Sequence, residues 1–292
     1  MHGNATLHPQ FSTTSRFTGM GLALCSMSSA QIGASLAVEL MLSFNSLHLS
    51  ALILVCDALL GLVVFRPRFR GFGLRQWCGA AALGLAMADM LLSFYMAVTH
   101  IPVGAAITLD SLGPLTVAIL ALKGWPRVVL PVLAGFGVLI MSYSPHGWLF
   151  PPIGILWAVA AGTGWAFYIV LMRHVGRLFS AQDGLCLSFL MAALIALPVV
   201  FFLTPTAGWL QHLPKIVGLA LLSTFLPFLC ELSALRKLEM GTFSMLMSLE
   251  PAIGTLAGFI ILGQALSRQQ LGGILAIMLA SAGAVLVARK TT

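Results

Sequence analysis

The sequence predicts an all-α membrane protein of ten transmembrane helices, built as two inverted five-helix repeats with both termini cytoplasmic. Three observations lead there. Of 292 residues, 59% are hydrophobic and only 8% charged, with a mean hydropathy of +1.01. A soluble domain carries roughly 25% charged residues, and no globule hides so much apolar surface from water. The apolar residues fall into ten stretches, most close to the ~20 residues that cross a bilayer core. The chain also matches itself: Ala97, Gly104, Leu109, Ser111, Leu112 and Pro114 recur 137 positions later as Ala234, Gly241, Leu246, Ser248, Leu249 and Pro251.

The first nineteen residues are polar and rich in Ser, Thr and His. They lack the basic start and cleavage site of a signal peptide, so residues 1–19 read as a short cytoplasmic tail. Helices are expected over 20–43, 48–65, 76–98, 102–122 and 127–143, forming a first repeat (20–143). Five more follow over 153–173, 181–203, 214–235, 241–263 and 269–288, forming a second (153–289). Pro67, the run Gly124, Trp125 and Pro126, and the pair Pro151 and Pro152 punctuate the gaps.

Orientation follows from the basic residues. With the N-terminus inside, the cytoplasmic gaps hold Arg16, Arg66, Arg68, Arg70, Arg75, Lys123, Arg127, Arg173, Arg177, Arg236, Lys237, Arg289 and Lys290. The outer gaps hold only Lys215 and Arg268, which is the asymmetry that fixes topology. Five helices per repeat is an odd number, so the copies enter the membrane with opposite polarity. The gap at His100 accordingly has no Lys or Arg, while its counterpart carries Arg236 and Lys237. Inverted repeats of this kind mark transporters that alternate access about a midplane site.

Other classes fall away. The net charge of +7 comes from residues scattered through short gaps, not from a basic patch for nucleic acid. Cys25, Cys56, Cys78, Cys186 and Cys230 lie in apolar segments without a C-x-x-C, as buried small hydrophobes do. The seven histidines (His2, His8, His48, His100, His146, His174 and His212) sit in tails or gaps without metal spacing. No metal, no cofactor and no catalytic constellation is expected, so the chain reads as a transporter rather than an enzyme. Its partners are a small-molecule substrate, protons and membrane lipids, and it is expected to act as a monomer or homodimer.

An ionisable residue inside a span is costly and marks function by default. Glu39 and Asp183 lie near helix ends and Glu239 in a cytoplasmic gap, where water reaches them. Asp57, Asp89, Asp110, Glu231 and Glu250 are deeper, and no Lys or Arg lies deep in any span to pair with them. Asp110 is ~12 Å in from the outer end of its helix and Glu250 ~14 Å in from the inner end of its own, at 1.5 Å per residue. In the repeat register Glu250 matches Gly113, about one helical turn from Asp110. The pseudo-twofold then sets the two carboxyls on opposite walls of one cavity, where either can exchange protons; the alternative is that each merely bonds a facing helix. Pro114, Pro227 and Pro251 free backbone carbonyls or allow kinks nearby. In the sixth helix, the small residues Ala161, Gly162 and Gly164 allow close packing, and Trp165 and Tyr168 are candidates to line the cavity. Gly254 with Gly258, and Ala276, Ala280 and Ala284, read as helix-packing pairs.

These residues resemble the drug/metabolite transporter superfamily, in its EamA branch. The stretches that carry the likeness are Gly33 to Ala37, Ile101 to Gly104 with Gly113 to Leu115, Leu222 through Pro227 to Glu231, and Gly241 to Pro251 with Leu262 and Gly263. It covers nearly the whole chain and is greatest to the branch of bacterial inner-membrane exporters of threonine and homoserine. The resemblance implies export of a small metabolite by proton antiport, with neutral amino acids such as threonine or homoserine as substrates. It sets Asp110, Glu231 and Glu250 on acidic positions of the pattern. Three features depart from it: Leu52 and Ile53 stand where the family often has a basic residue, Gln264 follows Gly263 where Glu is usual, and Asp57 and Asp89 are extra acids. Without a cation in the membrane, a substrate carboxylate has to meet backbone amides or hydroxyls such as Thr108, Ser111 and Ser248. The acidic interior also suits a second substrate class, cationic drugs or polyamines.

Overall fold

The structure is a computed structural model that describes residues 13–67, 71–120, 122–144, 147–202, 208–235, 237–238, 243 and 246–291. Of the residues singled out above, His2, His8, Arg68, Arg70, His146, Arg236, Glu239 and Gly241 lie outside the described residues, as do the side chains of Arg16, Arg173, Arg289 and Lys290.

Helix α1 spans Thr13–Leu40, α2 Ser46–Phe65 and α3 Leu74–Val98. They are followed by α4 (Val103–Asp110), α5 (Leu112–Leu120) and α6 (Pro126–Ser142). A two-residue antiparallel ladder, Tyr143 opposite Trp148, leads into α7 (Pro152–Leu178) and α8 (Ala181–Phe202). Then come α9 (Leu213–Ala220), a π-helical turn (Leu221–Phe225), α10 (Leu226–Leu235), α11 (Glu250–Leu262) and α12 (Arg268–Thr291). Among the described residues, eight stretches are long and apolar enough to cross a membrane, with α4–α5 counted as one of them; Pro126–Ser142 and Glu250–Leu262 are shorter apolar helices. Large apolar side chains such as Val63, Leu85, Phe136, Phe201, Ile260 and Leu279 are exposed on the outside of the bundle, where a bilayer accepts them.

The helices depart from the expected boundaries in five places, one of them in the helix expected over 241–263, which turns at Ser248 and Leu249 so that α11 begins only at Glu250. Residues 13–19, read as tail, already belong to α1; Gly19 lies against Leu238, so its early turns pack on the chain after α10. The helix expected over 102–122 is divided at Ser111, three residues ahead of Pro114, whose missing N–H breaks the ladder. Helix α7 runs past residue 173 to Leu178, with Arg177 in a last turn where the helix dipole favours a cation. The helix expected over 214–235 is a composite with a π turn in the middle.

Helix α2 shows how local chemistry sets an end. The Asn45 side chain accepts from the backbone N–H groups of Leu47 and His48, and Arg66 closes the helix in the left-handed region at φ 47°. Removing that cap in Asn45→Ala is expected to cost about 1 kcal/mol, read as a lower melting temperature of the purified protein.

Packing sorts the helices into layers. The main core is built from α2, α3, α4, α7 and α8, with Leu49, Ile53, Leu83, Tyr95, Ile107 and Phe189 among its buried side chains. Helix α3 packs on α7 and α8, α2 on α8, and α4 on α11 and α7. Helix α1 lies along α10, the π turn and α11. A second cluster joins α5, α6 and α12 through Leu115, Ala134, Ala280 and Ala284. Gly254 of α11 abuts Ile107 of α4, a close approach its spacing suggested, and Gly137 of α6 abuts Gly273 of α12, which the spacing did not single out.

Candidate acidic site between α1, α4, α7, α10 and α11

The site begins with α1, which sequence reasoning left without a role beyond its likeness. Ser26, Ser29, Gln31 and Ser35 are all buried on it. Gln31 Nε2 donates to Glu250 Oε1 at 2.9 Å. Ser29 Oγ donates to the Leu222 carbonyl at 2.7 Å, at the π turn. Ser26 Oγ lies 3.0 Å from the Pro227 carbonyl and 3.2 Å from Glu231 Oε1. Three Ser and one Gln at helical spacing in an apolar stretch were the signal available in the sequence. Their partners, some 190 to 220 positions away, were not.

Four of the five deep acids form a run. Asp110 lies within electrostatic reach of Glu250 and of Asp89, and Glu250 within reach of Glu231. Asp110 ends α4 at the Ser111 break, where Pro114 has no N–H to offer its carbonyl. Glu250 opens α11 with Pro251 beside it, at a helix N-terminus that favours negative charge. Asp89 accepts from Ser93 Oγ at 3.1 Å. Two glycines of α7 let that helix close on the acids: a Cβ on Gly162 would sit 2.7 Å from the Asp110 carbonyl, and one on Gly164 would sit 2.7 Å from Asp89 Oδ2.

Several oxygens here lack protein donors. Asp110 Oδ1, Glu250 Oε2 and Gln31 Oε1 are buried without a hydrogen-bond partner, and a buried acceptor left unmet costs about 1–3 kcal/mol. Every Lys and Arg whose side chain is described lies exposed or half-buried at or beyond a helix end. The interior is therefore equipped for a cationic head group or for protons. Among the described residues, no three His, Cys, Asp or Glu side chains are grouped to hold a metal ion.

The remaining candidates are placed as follows. Tyr168 is buried, with its ring 5.6 Å from Phe228 and its hydroxyl within electrostatic reach of Glu231. Trp165 is half-buried against the main core. Ser111 Oγ donates to the Thr108 carbonyl at 2.7 Å and Thr108 Oγ1 to the Gly104 carbonyl at 2.6 Å, so both hydroxyl protons are committed to their own helix. They can accept from a substrate but do not offer the donors a carboxylate needs. Ser248 is half-buried in the turn ahead of α11. Asp57 is fully buried on α2 and does not join the run; its carboxyl meets Thr224 of the π turn.

The bond from Gln31 to Glu250 is testable by itself. Hydrogen bonds to charged groups contribute roughly 1.5–3 kcal/mol. Gln31→Leu is expected to weaken apparent substrate affinity about tenfold, at 1.4 kcal/mol per decade, read from the concentration dependence of exchange in proteoliposomes.

Comparison with known proteins agrees with this architecture. Residues 152–286 match the model of the EamA-like transporter family. The threonine/homoserine exporter RhtA of Escherichia coli (strain K12) is 32% identical over 281 residues, covering 91% of each chain. The same exporter from Salmonella typhimurium (strain LT2) gives the same identity and coverage. A solved crystal structure, 18% identical, shares the fold with a TM-score of 0.61 over 93% of this chain and 98% of its own. The chain is thus a multi-pass membrane protein that belongs to the EamA-like transporter family.

Proposed function

We propose that this transporter exports neutral amino acids, threonine and homoserine foremost, across a bacterial inner membrane in exchange for protons. The observation that carries the reading is the run of four buried carboxyls, Asp89, Asp110, Glu250 and Glu231, with no cation among the described residues to neutralise it. A substrate ammonium between Asp110 and Glu250 satisfies both acids during one half of the cycle, and protons satisfy them during the other. The name of the relatives, threonine/homoserine exporter, supplies the substrate class.

The two five-helix repeats, 20–143 and 153–289, rock about this site in alternating access. With α6 and α11 counted as crossings, and α4–α5 and α9–α10 each as one, the helices number ten and both termini face the cytoplasm. The packing supports a pseudo-twofold. Helix α3 packs on α7 as α10 packs on α1, while α2 with α8, α4 with α11 and α6 with α12 pair across the axis. Exchange of the two repeats maps the first two contacts onto each other and each of the other three onto itself. Trp165, Tyr168, Ser111 and Ser248 line the substrate's path or accept its hydrogen bonds.

The test is export from cells loaded with labelled threonine, homoserine and putrescine, with and without overproduction of the protein. Faster loss of threonine or homoserine supports the reading. Faster loss of putrescine alone replaces it with amine efflux.

A further inference from the structure

Asp57 is set apart from the acids of the proposed substrate site, and its surroundings have their own logic. Its side chain is fully buried on α2. Thr224 Oγ1 lies 2.6 Å from Asp57 Oδ2 and 2.9 Å from the Ala220 carbonyl oxygen. A hydroxyl has one proton to give. Beside an ionised Asp57, both neighbours of Thr224 are acceptors and one of them goes without. Beside a protonated Asp57 the pattern closes: the carboxyl O–H donates to Thr224 Oγ1, and Thr224 donates to the Ala220 carbonyl. The same count applies to Ser26 of α1, whose single hydroxyl proton stands between the Glu231 carboxyl and the Pro227 carbonyl, both of α10.

The other oxygen, Asp57 Oδ1, is buried without a protein partner. Asp57 and Thr224 line a cavity of about 10 Å³ walled by Met87, Leu91, Phe189 and Phe228, room for roughly one water. Thr224 belongs to the π turn, where the Leu226 N–H reaches back five residues to the Leu221 carbonyl. Such turns are frequent at functional sites because they re-aim a side chain. The groups that face Asp57 are Cys56 beside it on α2, Thr224 of the π turn, Phe189 of α8 and the fully buried Tyr95 of α3. None of these is cationic, so an ionised Asp57 would keep one hydroxyl donor and no counter-charge, a costly state in a closed core.

We propose that Asp57 is a second proton-binding site, separate from the acids that meet the substrate, with Thr224 and the Ala220 carbonyl as its relay. A proton on Asp57 bonds α2 to the π turn. Its loss leaves a bare carboxylate that drives the two apart to admit water, so one protonation event biases the arrangement of α2 against the α9–α10 span. The inference deepens the proton-coupled reading above and rests on it for its role in transport, but the proton itself can be observed without any substrate.

The experiment is infrared difference spectroscopy of the purified protein in proteoliposomes between acidic and alkaline buffer, paired with accumulation of labelled threonine driven by a pH gradient. The expected spectrum of the unaltered protein contains a carboxylic-acid C=O band that is lost in Asp57→Asn, displaced in Thr224→Val and restored in Thr224→Ser. Gradient-driven threonine accumulation in Asp57→Asn is expected to fall well below that of the unaltered protein, to the part coupled through Asp110 and Glu250. A band that persists unchanged in Asp57→Asn overturns the proposal, as does full gradient-driven accumulation by that variant. Where the unaltered protein moves no threonine, the substrate assignment fails and the infrared result alone decides whether Asp57 holds a proton.

Discussion

Exchanging Glu250 for Gln and Asp110 for Asn in one chain is expected to abolish transport, while either change alone weakens it roughly 10- to 100-fold. The magnitude follows from hydrogen bonds to charged groups, worth about 1.5–3 kcal/mol each, at 1.4 kcal/mol per decade of affinity. Both substitutions keep the shape and a polar head, and Gln31 can still bond an amide at position 250 through its own oxygen or nitrogen. What is lost is the negative charge and the site for a proton. Labelled-substrate exchange at several pH values checks this, with gel-filtration profiles to confirm that the variants fold. Exchange at the rate of the unaltered protein by the double variant would remove these two acids from the mechanism.

Gly113→Val is expected to cost most of the folded protein. A Cβ at Gly113 would overlap the carbonyl oxygen of Gly162 on α7, and a backbone atom in a packed helix cannot swing aside as a side-chain tip can. Overpacking of a tight core costs about 1–3 kcal/mol or more, and here it also pushes α5 off α7 next to Asp110. The control is Gly135→Ala on α6, where nothing lies within 4 Å of the added carbon and helix propensity improves by roughly 0.5–1 kcal/mol. Yield and melting temperature of the two purified variants should move in opposite directions.

These two predictions draw on features of different legibility. The reach of Asp110 to Glu250 accords with the proposed repeat, in which the match of Ser111 and Pro114 to Ser248 and Pro251 sets Glu250 about one turn from Asp110 and a pseudo-twofold between the copies faces them. The close contact of α7 with the acids was half legible: Gly162 and Gly164 announced a tight approach but not to what. The donor to Glu250 was not legible, since Gln31 lies 219 positions away on another helix. The π turn at Leu221–Phe225 was hidden as well. One extra residue in a helical turn leaves composition and hydropathy unchanged, so the stretch reads as ordinary helix. Asp57 shows the consequence: depth ranked it among the candidates, yet only the widened turn that carries Thr224 to α2 separates it from the other acids.

Boundaries shifted where polarity and helicity disagree. Hydropathy set the start of the first span near residue 20, but Ser, Thr and Arg are tolerated in a helix outside the membrane, and α1 begins at Thr13. The same reason carries α7 past Arg173 to Leu178. Apolar content locates the stretch inside the bilayer; the hydrogen-bond ladder continues until a cap or a proline stops it.

The most direct measurement is counterflow of labelled threonine and labelled putrescine into proteoliposomes preloaded with each compound unlabelled, for the unaltered protein and for the Asp110→Asn, Glu250→Gln double variant. Uptake of threonine against unlabelled threonine is expected in the unaltered protein and is expected to vanish in the double variant. Threonine uptake that survives loss of both acids, or exchange of putrescine without any exchange of threonine, would contradict it.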